Sequence, residues 1–173
     1  MSGQVAAAWA LLPEYLAWHV LLSAAALALG VLVSLPLAVA ASRSRALRWP
    51  VMAGAGLIQT IPSLALLALF FPLLLAVSAA SMAVTGRGFS ALGFLPALLA
   101  LALYSMLPIL RNGVAGLTGV DPAVLEAADG VGMTRGQKLR RVELPLAAPV
   151  IMAGVRTAAV WTIGAATLST PVG

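Results

Sequence analysis

Cysteine is absent from the 173 residues, and histidine occurs once, at His19. Disulfide frameworks, thiol catalysis and Cys/His metal sites therefore have no raw material, so no metal site is expected. His19 follows Trp18 at the start of an apolar run and reads as an interfacial histidine rather than a ligand. Charge is scarce, at 9% of residues, with ten basic against five acidic groups and Lys138 as the single lysine. No GxxxxGK[ST] phosphate loop occurs, so ATP has no binding loop on this chain and bond chemistry is not expected of it. What fills the sequence instead is apolar: 62% hydrophobic residues and a mean hydropathy of +1.06. Those values lie outside the range of soluble globular domains and define an integral membrane protein. The net charge of +5 does not point to nucleic acid, because the basic residues flank apolar runs where orientation in the bilayer accounts for them. Met1 to Ala10 carries no Lys or Arg, so it lacks the charged start of a secretory signal, and the first apolar run is expected to be retained.

Four apolar runs are long enough to approach or exceed the length of a membrane-crossing helix. Trp9 and Tyr15 precede the first and Trp18 stands at its start, so residues 1–15 read as an interfacial anchor. The first run spans about Leu16 to Ala41, with Pro36 predicted to kink it. The loop that follows carries Arg43, Arg45 and Arg48 and no acid. The second run, about Val51 to Val77, groups Gln59, Thr60 and Ser63 around Pro62, and such a break needs protein or water to satisfy its freed backbone. The third runs from about Phe94 to Leu110 and is predicted to end at Pro108. The fourth runs from about Leu146 to Leu168 with Arg156 inside it. No acid falls within these four runs, and no repeat of fixed period is present. Arg43, Arg45, Arg48, Arg111, Arg135, Lys138, Arg140 and Arg141 fall on one side, and Arg87 on the other. The positive-inside rule then predicts an outside N-terminus, both basic loops in the cytoplasm and an outside C-terminus. The expected fold is an all-α integral membrane protein of about four transmembrane helices, with a cytoplasmic elbow between the third and fourth.

That elbow is the longest polar interruption, EAADGVGMTRGQKLRRVELP over Glu126 to Pro145. Asp121-Pro122 is a helix-start signal, since the Asp side chain can accept from orphan N–H groups and Pro at the first helical position gives up no needed donor. A short helix should run to about Asp129, ended by Gly130 and Gly132 in left-handed conformations. Thr134 with Gln137 fits a capping box that opens a second arm, and Pro145 marks its end or a bend. Arms of about eight residues are too short to stand alone in water, so a partner surface is expected. Val124, Leu125 and Ala128 are spaced to share one apolar face of the first arm.

At these residues the sequence resembles the membrane-spanning permease subunits of bacterial ABC importers. Their cytoplasmic signature is Glu-Ala-Ala, three residues, Gly, nine residues, Ile, one residue, Leu-Pro. Here Glu126, Ala127, Ala128, Gly132, Leu144 and Pro145 match it, and Val142 stands where the family has Ile. The flanking segments QTIPSLALLAL, LYSMLPILRNGVAGL and LPLAAPVIMAGVRTA look like the branch that imports osmoprotectants such as glycine betaine, carnitine and choline. The resemblance covers about Leu16 to Thr170. It implies one ABC importer transmembrane domain over residues 1–173 with a coupling region at 121–145. The first arm would be the coupling helix, seated in a groove of a separate ABC ATP-binding subunit that binds the ATP, so no cofactor is expected on this chain. A second permease subunit, the same or related, an extracytoplasmic substrate-binding protein and a place in the bacterial cytoplasmic (inner) membrane are also implied. Family members usually continue through at least one more span, so a C-terminal truncation is expected. The readings held beside this one are a permease for another small polar solute such as methionine, an ATP-independent channel or carrier, and a structural membrane subunit.

The candidate substrate path is Gln59, Thr60, Ser63, Tyr104, Arg156 and Trp161. Gln59, Thr60 and Ser63 either line a polar path or repair the Pro62 break. Tyr104 and Trp161 offer ring faces to a quaternary ammonium, or else pack in the core or the interfacial belt. Arg156 either meets a substrate carboxylate or snorkels toward the cytoplasmic side.

Overall fold

The computed structural model describes residues 2–167, and the side chains of these except at positions 2–8, 63, 64 and 67. Every regular element among them is helical: α1 Ser2–Arg43, α2 Arg45–Thr60, α3 Ser63–Thr85, α4 Phe94–Thr118, α5 Pro122–Gly130, α6 Arg135–Lys138, a π turn Leu139–Glu143, and α7 Leu144–Ala166. The described part of the stretch read as an anchor forms the first turns of α1, which carries Glu14 and runs through Pro36 without ending. Four helical stretches are long and apolar enough to cross a membrane: Trp9–Arg43, Ala68–Thr85, Phe94–Thr118 and Arg135–Ala166. The acid-free reading of the spans therefore holds only from Leu16 onward in the first of them and only beyond Glu143 in the last.

The second apolar run is two helices, a correction to the single span expected from Val51 to Val77. Pro62 lacks an N–H, so the chain cannot continue its α-helical ladder there. Ile61 N–H turns to the Ile58 carbonyl at 3.3 Å, and the Leu57 carbonyl that loses its partner is taken by the Thr60 hydroxyl at 2.7 Å. The break is thus closed by groups one turn away.

Pro108 has the opposite outcome. It was expected to end the third span, yet α4 continues to Thr118. A proline at 108 leaves the carbonyl four residues earlier, that of Tyr104, without its helical donor. Gln59 on α2 supplies one, with Nε2 donating to the Tyr104 carbonyl oxygen at 3.0 Å. Because Tyr104 lies ten residues into α4, about 15 Å along its axis, the α2–α3 break sits near the middle level of the bundle.

The core is built from α1, α4 and α7, with α4 between the other two. In lipid the close approach of helices rests on dispersion contacts through small residues rather than on apolar burial from water. The facing positions are small accordingly. A Cβ added at Gly30 of α1 would meet Ser105 Oγ of α4 at 1.8 Å, and one at Gly113 of α4 would meet Ala38 Cβ of α1 at 2.7 Å. On the other side of α4, a Cβ at Gly154 of α7 would meet Asn112 Cβ at 2.6 Å and the Pro108 carbonyl oxygen at 2.7 Å. By contrast only 6% of the apolar window of α3 is buried, the smallest share among the four membrane-length stretches.

Candidate functional site

The elbow forms as the local signals predict. Asp121 caps α5 by accepting from the Ala123 N–H at 2.9 Å, with Pro122 at the first helical position. At the other end Gly132 takes a left-handed conformation, φ 78°. Gly132 N–H donates to the Asp129 carbonyl at 2.9 Å and Met133 N–H to the Ala128 carbonyl at 3.1 Å, the paired bonds of a Schellman end. Gly130, also expected to be left-handed, stays helical. Thr134 and Gln137 form the reciprocal capping box of the second arm. Lys138 Nζ reaches across to both Asp129 carboxylate oxygens, at 2.6 and 2.7 Å, tying the two arms together in the open.

The second arm does not stop at Pro145. It passes through the π turn into α7, so Pro145 lies inside a continuous helical stretch, two residues past the π turn, and its missing N–H leaves one carbonyl of the preceding turn without a helical donor. The expected pair of short arms is therefore one short helix and one long one.

Of the motif residues, Glu126 and Ala127 face outward, while Ala128 is 5% exposed. α5 lies against α6 and the π turn, so Ala128 serves the packing between the elbow's own arms. Of the two alanines, Ala127 is the one left on the outer face. Val131, not singled out in the sequence, is 74% exposed at the tip beside Gly132. Leu144 is half-buried in a cluster with Leu117, Ala147, Ile151, Leu139, Leu35 and Val39, which fastens the base of the elbow to α4 and α1.

A second fastening was missed in the sequence. Glu143 occupies the unspecified position of the motif, is 1% exposed, and pairs through Oε2 with Nη2 of Arg43 at the end of α1. Its other oxygen, Oε1, is buried without a hydrogen-bond partner. Arg48 also has a specific task, donating to the Ala41 carbonyl at 3.1 Å and the Ser42 carbonyl at 3.2 Å. It thereby satisfies orphan acceptors at the C-terminal end of α1. Two of the three arginines read as orienting charge thus also hold structure, and the Arg43–Glu143 pair places the first basic loop and the elbow at the same end of the bundle.

The candidate path residues do not gather into one site. Gln59 and Tyr104 meet through the Tyr104 carbonyl, and the Thr60 hydroxyl is committed to Leu57. The Ser63 side chain lies outside the described ones. Arg156 and Trp161 share a shallow groove of about 600 Å³ on α7 with Pro149, Met152, Ala153, Thr157 and Val160. Arg156 is exposed and lies twelve residues into the 23-residue α7, close to its middle. His19 lines a small apolar groove between α1 and α7 with Val20, Ser23, Ala24, Leu27, Ala159 and Ile163. No group of three or more metal-ligating side chains occurs among the described residues.

The fold is an all-α domain with four helices long and apolar enough to cross a membrane and an elbow that carries this motif. The chain belongs to the family of binding-protein-dependent transport system inner membrane components, whose model matches residues 16–173. It is 44% identical to the choline transport system permease protein OpuBB of Bacillus subtilis (strain 168), over 90% of this chain and 64% of that protein. Identity is 42% to the glycine betaine/carnitine/choline transport system permease protein OpuCB of the same organism, with the same coverage. With the osmoprotectant import permease protein OsmW of Salmonella typhimurium it is 41%, over 90% of this chain and 67% of that protein. The chain therefore spans about two thirds of the length of these relatives.

Proposed function

We propose that the chain is the permease subunit of an ABC importer for a small osmoprotectant such as glycine betaine, carnitine or choline, driven by ATP hydrolysis on a separate subunit. The observation that carries this reading is the elbow at 121–145, capped at both ends of α5 and presenting Glu126, Ala127 and Val131 outward. A nine-residue helix held rigid by Asp121, the Schellman end and the Lys138–Asp129 pair is suited to seat in a groove of an ATP-binding subunit. The carboxylate of Glu126 would meet a polar or basic partner group. Movement of α5 would pass through α6 and the π turn into α7, whose groove with Arg156 and Trp161 is the best remaining candidate for a path lining. A guanidinium suits a substrate carboxylate, and an indole face suits a quaternary ammonium. Similarity to choline and glycine betaine/carnitine/choline transport permeases favours quaternary ammonium cargo over methionine. The arrangement in the bacterial inner membrane would place the elbow in the cytoplasm and the N-terminus outside. A second permease subunit would complete the path, and an extracytoplasmic binding protein would deliver the solute.

The test is co-purification with the cognate ATP-binding subunit, together with uptake of labelled choline, glycine betaine, carnitine and methionine. Glu126→Arg is expected to lose the ATP-binding subunit and solute-stimulated ATP hydrolysis, while Arg87→Gln on the opposite loop keeps both. If Glu126→Arg retains both, the coupling assignment is wrong. Uptake of methionine alone would overturn the cargo, and equal uptake with and without the protein would leave a structural subunit.

A further inference from the structure

The Arg43–Glu143 pair joins elements 100 residues apart in sequence, and its construction is unusual for a contact serving stability alone. Glu143 is 1% exposed, whereas the Arg43 side chain is 51% exposed. The carboxylate has given up water on all sides, yet one of its two oxygens is bonded and Oε1 is not. Such a half-satisfied buried charge gains less than it forgoes, and an apolar residue at 143 would extend the adjoining Leu139–Leu144–Val39 cluster instead. What the ion pair adds over apolar packing is direction. Leucine and valine side chains permit one helix to slide or rotate on another, but a guanidinium–carboxylate pair fixes which turn of one helix stays beside which turn of the other.

The position of the pair gives that constraint a use. Glu143 is the last residue of the π turn that links the elbow's return arm to α7, and π turns inside helices recur at functional sites. Arg43 is the last residue of α1, one residue before the Ser44 cap of α2. A displacement of the elbow therefore reaches α7 through the continuous backbone, and reaches α1 through the sliding apolar contacts of Leu139 and Leu144 with Leu35 and Val39 and through one directional side-chain pair.

We infer that Arg43 and Glu143 form a coupling strut, which makes the cytoplasmic end of α1 follow the elbow so that motion of the ATP-binding subunit moves two spans together. Both are positioning residues and touch neither ATP nor solute. The inference rests on the permease reading above.

The test uses the complete importer, permease with its ATP-binding subunit and binding protein, in proteoliposomes. Solute delivered and ATP hydrolysed are measured together. The variants are E143Q, R43Q and R43Q/E143Q, of which E143Q and the double variant leave no buried carboxylate unpaired and so are expected to fold. Each is expected to keep the ATP-binding subunit and its solute-stimulated hydrolysis, while solute delivered per ATP falls about fivefold or more, the scale of a typical coupling between sites. The double variant is expected to be no worse than E143Q, because each removes the same strut. An unchanged ratio in E143Q and in the double variant overturns the inference. So does a fall of hydrolysis and uptake in equal proportion, which is what simple loss of folded protein gives. A wild-type importer that fails to retain an ATP-binding subunit overturns the permease reading itself, and is told apart by the absence of hydrolysis before any variant is made.

Discussion

The contact between α4 and α7 permits one substitution, glycine to alanine, to be tried at two places on a single helix with opposite expected signs. At Gly154 the new Cβ would stand 2.6 Å from Asn112 Cβ and 2.7 Å from the Pro108 carbonyl oxygen. Carbon pairs rest at about 3.5–4.0 Å, so α7 would have to retreat by about 1 Å along the face where it packs on α4. The Pro108 oxygen is backbone, and Asn112 is held over it by its own Nδ2 bond at 2.9 Å, so neither neighbour gives way easily. Overpacking of this kind costs about 1–3 kcal/mol, against which the helix propensity of alanine returns about 0.5–1 kcal/mol. At Gly164, ten residues further along α7, a Cβ meets nothing within 4 Å, and only the propensity gain remains. Thermal unfolding of the purified protein in detergent, followed by tryptophan fluorescence, should separate Gly154→Ala from Gly164→Ala by on the order of 5 °C, with Gly154→Ala the lower. Equal midpoints, or Gly154→Ala at or above wild type, would refute the claim that α4 and α7 touch through glycine.

Gly132→Ala puts a side chain on a residue at φ 78° and should cost about 1–2 kcal/mol locally. It is read as faster amide exchange at Gly132 and Met133 with the spans unaffected. Thr134→Ala removes one half of the capping box and should cost about 1 kcal/mol, so that amide exchange over residues 135–138 rises about fivefold or more while α5 keeps its protection.

The elbow was the most legible part of the chain because its signals are local. Asp121, Pro122, Gly132, Thr134 and Gln137 each act within a few residues, and the structure uses each of them as spacing alone predicts. Pro108 was misread because its rescuer, Gln59, lies 45 residues before the Tyr104 carbonyl it serves, and no local rule links a glutamine on one helix to a carbonyl orphaned on another. Glu143 was passed over for the same reason: it sits at a position where the motif asks for nothing, and its partner is Arg43. The second span was drawn too long because hydropathy sums through Ile61-Pro62 without registering that the ladder of backbone bonds is interrupted there. The path candidates were chosen by residue type, and two of the six, Gln59 and Thr60, prove to be occupied with backbone repair.

The uninterrupted helical rod from Arg135 to Ala166, 32 residues, is about 48 Å long at 1.5 Å per residue. A bilayer core would take up about 30 Å of that, leaving about 18 Å outside it. Pivoted at the membrane surface, such a rod is geared upward: a tilt of about 10° that moves its outer tip by about 3 Å swings the far end by about 5 Å. A small push at the elbow would thus arrive enlarged on the opposite side of the membrane, at the end of α7 beyond Trp161.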